Sequence, residues 1–258
     1  MENFNLENKT VLITGASRGI GFGIAEAFAK QKVDLFILSN ENDIFEAQKK
    51  LSMLSKKKVK SFKCDISNKN NVKKIISEID NLDILINNAG LEKPTPITDL
   101  DNQIDTNFER IIEINVLGTY YVTRYFLPKM SRGGSIIITS SIWGKTAVAN
   151  FSAYCASKHA NIGFMRSLSK ELGPLGIRVN AVCPGWVETN AAKNSLNWMS
   201  TKFNLDKKDL LNDIISSQSI EGLMKPVDAS QLYLYLASSF SSNITGQAIN
   251  IDRGEVLG

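Results

Sequence analysis

A chain of 258 residues with 43% apolar and 22% charged side chains has a globular composition, which excludes long disorder, collagen-like repeats and a disulfide scaffold. At roughly 150 residues per domain, the length admits one large α/β domain or two small ones. Thirty Lys and Arg against 26 Asp and Glu leave a net +4, too small a surplus for a dedicated nucleic-acid or membrane surface.

Residues 1–9 are polar, and no run of about 18 apolar residues occurs anywhere, so neither export nor anchoring is expected and the cytoplasm is the default. Cys64, Cys155 and Cys183 are scattered, with no CxxC and only His159 to complete a site, so no metal centre is expected. In chain order, apolar or β-branched runs at residues 9–14, 33–38, 59–63, 84–87, 135–140, 178–182 and 248–251 read as seven strands. Between them, residues 19–30, 43–54, 70–79, 107–127, 153–172 and 226–238 read as helices. Alternation of this kind demands right-handed crossovers, hence a doubly wound, Rossmann-type parallel sheet covered by helices on both faces. Nearly unbroken apolar runs such as VLIT and IIIT agree with strands buried on both sides. With no Pro/Gly/Ser-rich linker, residues 1–258 read as one domain, in which the irregular stretch 188–221 is the candidate substrate lid.

The first strand runs directly into TGASRGIG, residues 14–21. Glycines at 15, 19 and 21 let the chain turn tightly and approach a pyrophosphate, while the helix N-terminus offers free N–H groups to the anion. Alone, such a turn is equally a tight strand-to-helix junction. Here it is followed by NNAG at residues 87–90, Ser141 after the fifth strand, and Tyr154 with Lys158 on the next helix.

This ordered set resembles the short-chain dehydrogenase/reductase family over about residues 9–252, with Asn115, PGWVET at 184–189 and ITGQAINID near the C-terminus as further matches. Among its members, the chain looks most like 3-oxoacyl-(acyl carrier protein) reductases and sugar or polyol dehydrogenases. The resemblance implies a nicotinamide dinucleotide and hydride transfer at an alcohol or ketone carbon. It implies Gly15, Ser17, Arg18, Gly19, Ile20, Gly21, Ser39, Asn40, Asp65, Ile66, Asn88, Ala89, Gly90, Tyr154, Lys158, Pro184, Gly185, Val187 and Thr189 as cofactor contacts.

Ser39 stands where NAD-selective folds place a ribose-binding carboxylate, and Arg18 matches a basic position of NADP-preferring relatives, so NADP is the expected cofactor. Glu41 keeps NAD open, since one residue of shift brings its carboxylate near the ribose. Asp65 resembles an adenine-side residue, and its local alternative is a turn or capping aspartate. Seven lysines between residues 49 and 63 read as a solvated face rather than an anion site.

Tyr154 and Lys158, four residues apart on a helix, share one face. The resemblance implies Tyr154 as general acid/base, Lys158 as the cation that lowers its pKa and holds the nicotinamide ribose, and Ser141 as donor to the substrate oxygen. One residue of register makes Ser140 the competing hydroxyl, and the family alignment selects Ser141. Asn115 matches a residue that disturbs its helix and supports a water relay to the lysine. His159 reads as structural.

Two departures are visible: Asp252-Arg253-Gly254 where relatives commonly read DGG, and a longer stretch between Gly90 and Asn115. Carrier-protein reductases place basic residues before the fifth and sixth strands; Arg132 fits the first position, and Leu175 occupies the second. Trp186, Trp198, Met199 and Phe203 form either an apolar substrate wall or the lid's own core. The expected activity is reduction of a ketone or oxidation of a secondary alcohol with NADP(H), on a small-molecule carbonyl or alcohol substrate. A non-catalytic dinucleotide sensor and an NAD-dependent sugar or polyol dehydrogenase are the alternatives. Apolar residues on more than one face of the helices at 107–127 and 153–172, including Ile111, Leu117, Tyr120, Phe164 and Met165, suggest a second packing partner, and the family resemblance implies a homodimer or homotetramer through these helices and the ITGQAINID strand.

Overall fold

The structure is a computed structural model that describes residues 4–257; the first three residues of the polar N-terminal stretch and the last residue of the chain lie outside the described residues. Seven parallel strands, β1 (Thr10–Thr14), β2 (Asp34–Ser39), β3 (Val59–Lys63), β4 (Leu82–Asn87), β5 (Met130–Thr139), β6 (Arg178–Pro184) and β7 (Ala248–Ile251), form one sheet in the order β3-β2-β1-β4-β5-β6-β7. This is the doubly wound Rossmann-type arrangement that the alternation of strands and helices implies.

Strand side chains alternate between two apolar layers, as the pleat requires. Val11, Ile13, Leu35, Ile37, Ile84 and Ile86 join one core with Ile24 and Phe28 of α1 (Gly19–Ala29), Ile44 and Leu51 of α2 (Asp43–Leu54), and Tyr233 and Leu236. Leu12, Phe36, Leu38, Leu85, Ile136 and Ile138 face the other core, which also takes in Val72 of α3 (Lys69–Ile75).

The single helix expected over 107–127 is instead three segments: α4 (Asn102–Ile112), a π-helical stretch at Glu113–Gly118, and α5 (Thr119–Phe126). Asn115 lies in the π stretch, and its carbonyl accepts the Thr119 hydroxyl at 2.8 Å, a side-chain bond inserted into the backbone ladder. The helix expected over 70–79 ends as α at Ile75 and continues as one 3₁₀ turn. β5 begins five residues before the apolar run at 135, because Met130 already pairs with Leu82 ahead of an irregularity in register.

Next come α6 (Ser152–Leu172) and then, within the irregular 188–221 stretch, two amphipathic helices, α7 (Asn190–Phe203) and α8 (Lys207–Ser216), before α9 (Pro226–Ala237). The lysine-rich region lies along edge strand β3. Lys58 and Lys60 lie over the rings of Phe36 and Phe62, and Lys60 pairs with Glu78, which masks an edge otherwise open to pairing. Among the described residues, no helix is long and apolar enough to cross a membrane.

Helix α1 packs on α9 at Gly23, where an added Cβ would stand 2.8 Å from the backbone carbonyl carbon and oxygen of Pro226. Alanine normally improves a helix interior by about 1 kcal/mol. Here the overpacking, typically about 1–3 kcal/mol, dominates. Gly23→Ala is therefore expected to lower the thermal midpoint, by roughly 2–4 °C for each kcal/mol in a chain of this size, and a raised midpoint would refute the contact.

Candidate active site

The strand order reverses at β1, whose neighbours are β2 and β4, so the loops leaving the C-terminal ends of β1 and β4 diverge around a crevice. The two ends are tied together. Thr14 Oγ1 accepts the backbone N–H groups of Asn88 and Ala89, each at 3.0 Å, and Asn88 Nδ2 donates to the carbonyls of Thr14 and Gly15, each at 3.2 Å. Gly15 has φ +64°, and a Cβ there would lie 2.7 Å from Ala89 Cα; a Cβ on Gly21 would lie 2.1 Å from the Gly15 carbonyl oxygen. The glycines thus serve first to let two loops and a helix meet.

The crevice has a volume of about 510 Å³. Every residue expected to contact a cofactor lines it: Gly15, Ser17, Arg18, Gly19, Ile20, Gly21, Ser39, Asn40, Asp65, Ile66, Asn88, Ala89, Gly90, Tyr154, Lys158, Pro184, Gly185, Val187 and Thr189. At one end, α1 begins with no side-chain cap and no acidic residue in its first turn, so its leading N–H groups remain available to an anion. Thr189, which caps α7 by accepting the Ala192 N–H at 3.1 Å, lies against Gly19 and brings the 188–221 stretch to the glycine turn.

Beside the C-terminal end of β2, Ser39 Oγ is within 3.2 Å of Ser17 Oγ. Arg18 forms a two-pronged pair with Glu41, one bond measuring 2.7 Å, and a second pair with Asp43 at 3.3 Å. The Glu41 bond raises the Arg18 pKa, and the same bond holds the Glu41 carboxyl below its ordinary range. Arg18 is thus already compensated, which the spacing of charges along the chain did not reveal. Asp65 forms a turn with Ser67 and an ion pair with Arg110 at 2.7 Å. Desolvation pushes the Asp65 carboxyl up, and these bonds more than offset it, leaving it below the usual range.

At the other end stand Ser141, Tyr154 and Lys158. Lys158 is buried, and its Nζ donates to the Thr139 carbonyl at 2.8 Å and sits 5.4 Å from the centre of the Tyr154 ring. Burial pulls its pKa down to about 8, against the opposing pull of Glu92. Desolvation holds the Tyr154 phenol above its ordinary value, Glu92 pushes it further up, and a hydrogen bond from Ser141 opposes both. The net direction is upward, opposite to the lowering that the family pattern implies, because desolvation of the phenol dominates. Ser141 Oγ accepts the Trp143 N–H at 3.1 Å and keeps its own proton for the crevice, whereas Ser140 donates to the Lys158 carbonyl at 2.9 Å. Of the two hydroxyls, Ser141 is the one that reaches Tyr154.

Asn115 is fully buried behind this end and is not part of the crevice wall. Its Oδ1 accepts the Leu91 N–H at 2.7 Å, and its Nδ2 donates to the Leu91 carbonyl at 3.0 Å and to Ser157 Oγ at 2.9 Å. His159 is exposed and contacts the Cys155 carbonyl at 2.9 Å. Trp186 and Trp143 line the crevice; Trp198 instead packs edge-to-face on Phe151 and Phe203, so the aromatic residues divide between the two expected roles. Arg132 and Leu175 do not line the crevice. Arg132 lies at the opposite end of β5 from Ser141 and donates to the Pro174 carbonyl at 3.3 Å. Arg253 replaces the expected glycine with φ +57° and donates to the Glu221 carbonyl at 3.2 Å, tying the C-terminal turn to the end of the 188–221 stretch.

Sequence reasoning passed over Glu92, Thr139 and Glu255, all in the wall. Glu92 follows the NNAG turn by two residues, and that proximity was the available signal.

Comparisons with known proteins agree with this geometry. The family described as short chain dehydrogenase matches residues 9–200. The uncharacterized oxidoreductase YmfI of Bacillus subtilis (strain 168) is 35% identical over 252 residues, covering 96% of this chain and 98% of that protein. A short chain dehydrogenase from Burkholderia cenocepacia J2315, solved in complex with NADP, is 26% identical with a TM-score of 0.84, covering 97% of this chain and 98% of the other. A 3-oxoacyl-(acyl-carrier protein) reductase from Brucella melitensis with bound NAD is 28% identical with a TM-score of 0.85, covering 99% and 94%.

Proposed function

The chain belongs to the short-chain dehydrogenase family and is an NAD(P)-dependent oxidoreductase; on that premise we propose that it moves a hydride between NADP(H) and the carbon of a ketone or secondary alcohol, with Tyr154 as general acid/base. The observation that carries this reading is the meeting of Ser141, Tyr154 and Lys158 at one end of a crevice whose other end is the uncapped start of α1. The 188–221 stretch serves as the substrate cover, since Glu188 to Ala192 form one wall.

A bound nicotinamide dinucleotide supplies hydride in one direction and accepts it in the other. The chain's own residues manage the proton. In reduction, the Tyr154 hydroxyl proton passes to the carbonyl oxygen as that oxygen takes up the electron pair of the C=O bond. Ser141 donates to the same oxygen while charge develops on it. Lys158, anchored by the Thr139 carbonyl, supplies the positive charge that stabilises the phenolate left behind. Oxidation runs these steps backwards. Asn115 acts as a positioning residue, holding the Leu91 backbone beside the reacting centre.

The cofactor preference is decided at Arg18. A 2′-phosphate must exchange with Glu41 on the guanidinium, so the preference for NADP is modest and NAD remains usable. Assembly is proposed through α4, α5 and α6, where Phe108, Leu117 and Tyr120 stay exposed beside Tyr121 and Phe164. This face supports a homodimer, with the homotetramer adding contacts at β7; sedimentation equilibrium giving a single chain mass at micromolar concentration would reject both.

Tyr154→Phe is expected to lower turnover by about 100- to 10,000-fold while leaving NADPH binding by fluorescence nearly unchanged, and comparable turnover would end this mechanism. The pH profile carries a sign. Lys158, held at about 8, loses its charge as pH rises, so kcat/KM for reduction should fall about tenfold per unit above that point; a flat profile to pH 10 contradicts the lysine's role. For the cofactor, Arg18→Ala should reduce kcat/KM for NADPH about tenfold more than for NADH, and Glu41→Gln should shift the ratio toward NADPH. Equal effects on both cofactors would remove Arg18 from the discrimination.

A further inference from the structure

We infer that Glu92 selects the substrate: its carboxylate accepts a hydrogen bond from a hydroxyl beside the reacting carbon, so the enzyme takes neutral polyols and hydroxylated ketones rather than anionic acyl compounds. The inference rests on reading Tyr154 and Lys158 as the reacting centre.

Glu92 lines the crevice on the short connection that leaves β4, and it is held from two sides. Behind it, Leu91 has both its N–H and its carbonyl clamped by the buried side chain of Asn115. In front, Glu92 Oε1 accepts the hydroxyl of Ser195, and Ser195 is the buried residue of α7. A helix that covers a site normally seats an apolar residue; α7 seats a serine on a carboxylate. The Ser195 bond engages Oε1, and the half-buried side chain lines the crevice. Desolvation accordingly holds the Glu92 carboxyl above the usual range, against the pull of Ser195 and Lys158. A carboxylate so placed has one oxygen committed to Ser195 and lines the crevice, where a substrate hydroxyl donates to it.

The charges around Glu92 decide which donor fits. Among the described residues, Arg18 and Lys158 are the basic side chains of the crevice wall, and Arg18 lies at the far end, bound to Glu41 and Asp43. An anionic substrate would meet Glu92 and Glu255 with only Lys158 to offset them, and Lys158 is already turned to Thr139. An ammonium group would crowd Lys158. A neutral hydroxyl satisfies the carboxylate without adding charge to a desolvated site.

The test uses full-length wild type, Glu92→Ala and the near-isosteric Glu92→Gln, loaded with oxidised cofactor. The probes are a panel of four- to six-carbon alditols, cyclohexanol and 3-hydroxybutyrate. Turnover is followed by cofactor absorbance, and alditol binding by the fluorescence of the crevice tryptophans, which needs no chemistry. Wild type should bind alditols, and Glu92→Ala should weaken that binding at least tenfold, with part of the loss recovered in Glu92→Gln, whose amide oxygen still accepts. The kcat/KM ratio of the preferred alditol to cyclohexanol should fall at least tenfold in Glu92→Ala, mainly through KM. Glu92-dependent alditol binding without turnover of any probe would support this inference and overturn the oxidoreductase reading. Tyr154-dependent turnover with alditol binding absent, or equal in wild type and Glu92→Ala, would overturn the inference alone, as would a preference for 3-hydroxybutyrate.

Discussion

A lysine ammonium buried inside the molecule sets the terms for the rest of this structure. Lys158 comes from the second turn of α6, crosses to the C-terminal end of β5 and is tied there to the Thr139 carbonyl. Burying such a charge is unfavourable unless the group is bonded and faces opposite charge. The surrounding residues meet both conditions: Thr139 accepts from it, Glu92 lies within electrostatic reach, and Ser140 anchors the backbone of the same residue. The lowered pKa of this lysine is the physical trace of the burial, and Glu92 opposes it.

The sheet's reversal point supplies the other half of the site by a different device. There, no charge is buried; instead, side-chain volume is removed. Gly15 and Gly21 let the β1 turn, the start of α1 and the Asn88–Ala89 backbone approach to distances that a methyl group would forbid. Thr14 and Asn88 then satisfy the polar groups that this approach would otherwise strand. The result places the first turn of α1 in the crevice wall with no side-chain cap among the described residues.

Between these ends, the 188–221 stretch is held by a few specific contacts rather than by a core of its own. Ser195 on Glu92, Trp198 on Phe151, Thr189 beside Gly19 and Arg253 on the Glu221 carbonyl fasten α7 and the end of the stretch to four separate parts of the molecule. Helix α8 has no buried residue, and α7 has one. Such a segment has low local stability compared with the sheet, as covers over binding sites generally do.

The strands, the two-layer core and the TGASRGIG, NNAG and Tyr154/Lys158 motifs were legible in the sequence, because each is set by local rules: period-two burial, the steric needs of a turn, and the four-residue repeat of a helix. Right-handed crossovers acting on that alternation imply a doubly wound parallel sheet, and the structure supplies its order β3-β2-β1-β4-β5-β6-β7. The break of the helix around Asn115 was not legible, since the bonds it makes go to Leu91 and Ser157, more than twenty residues away in either direction. Nor was the pairing of Arg18 with Glu41 and Asp43, or the placing of Glu92 against Ser195 across 103 residues of chain. Local periodicity and turn chemistry travel along the chain and can be read from it. Burial, desolvation and charge compensation depend on which distant segments meet, and for Lys158, Arg18 and Glu92 only the tertiary structure decides that.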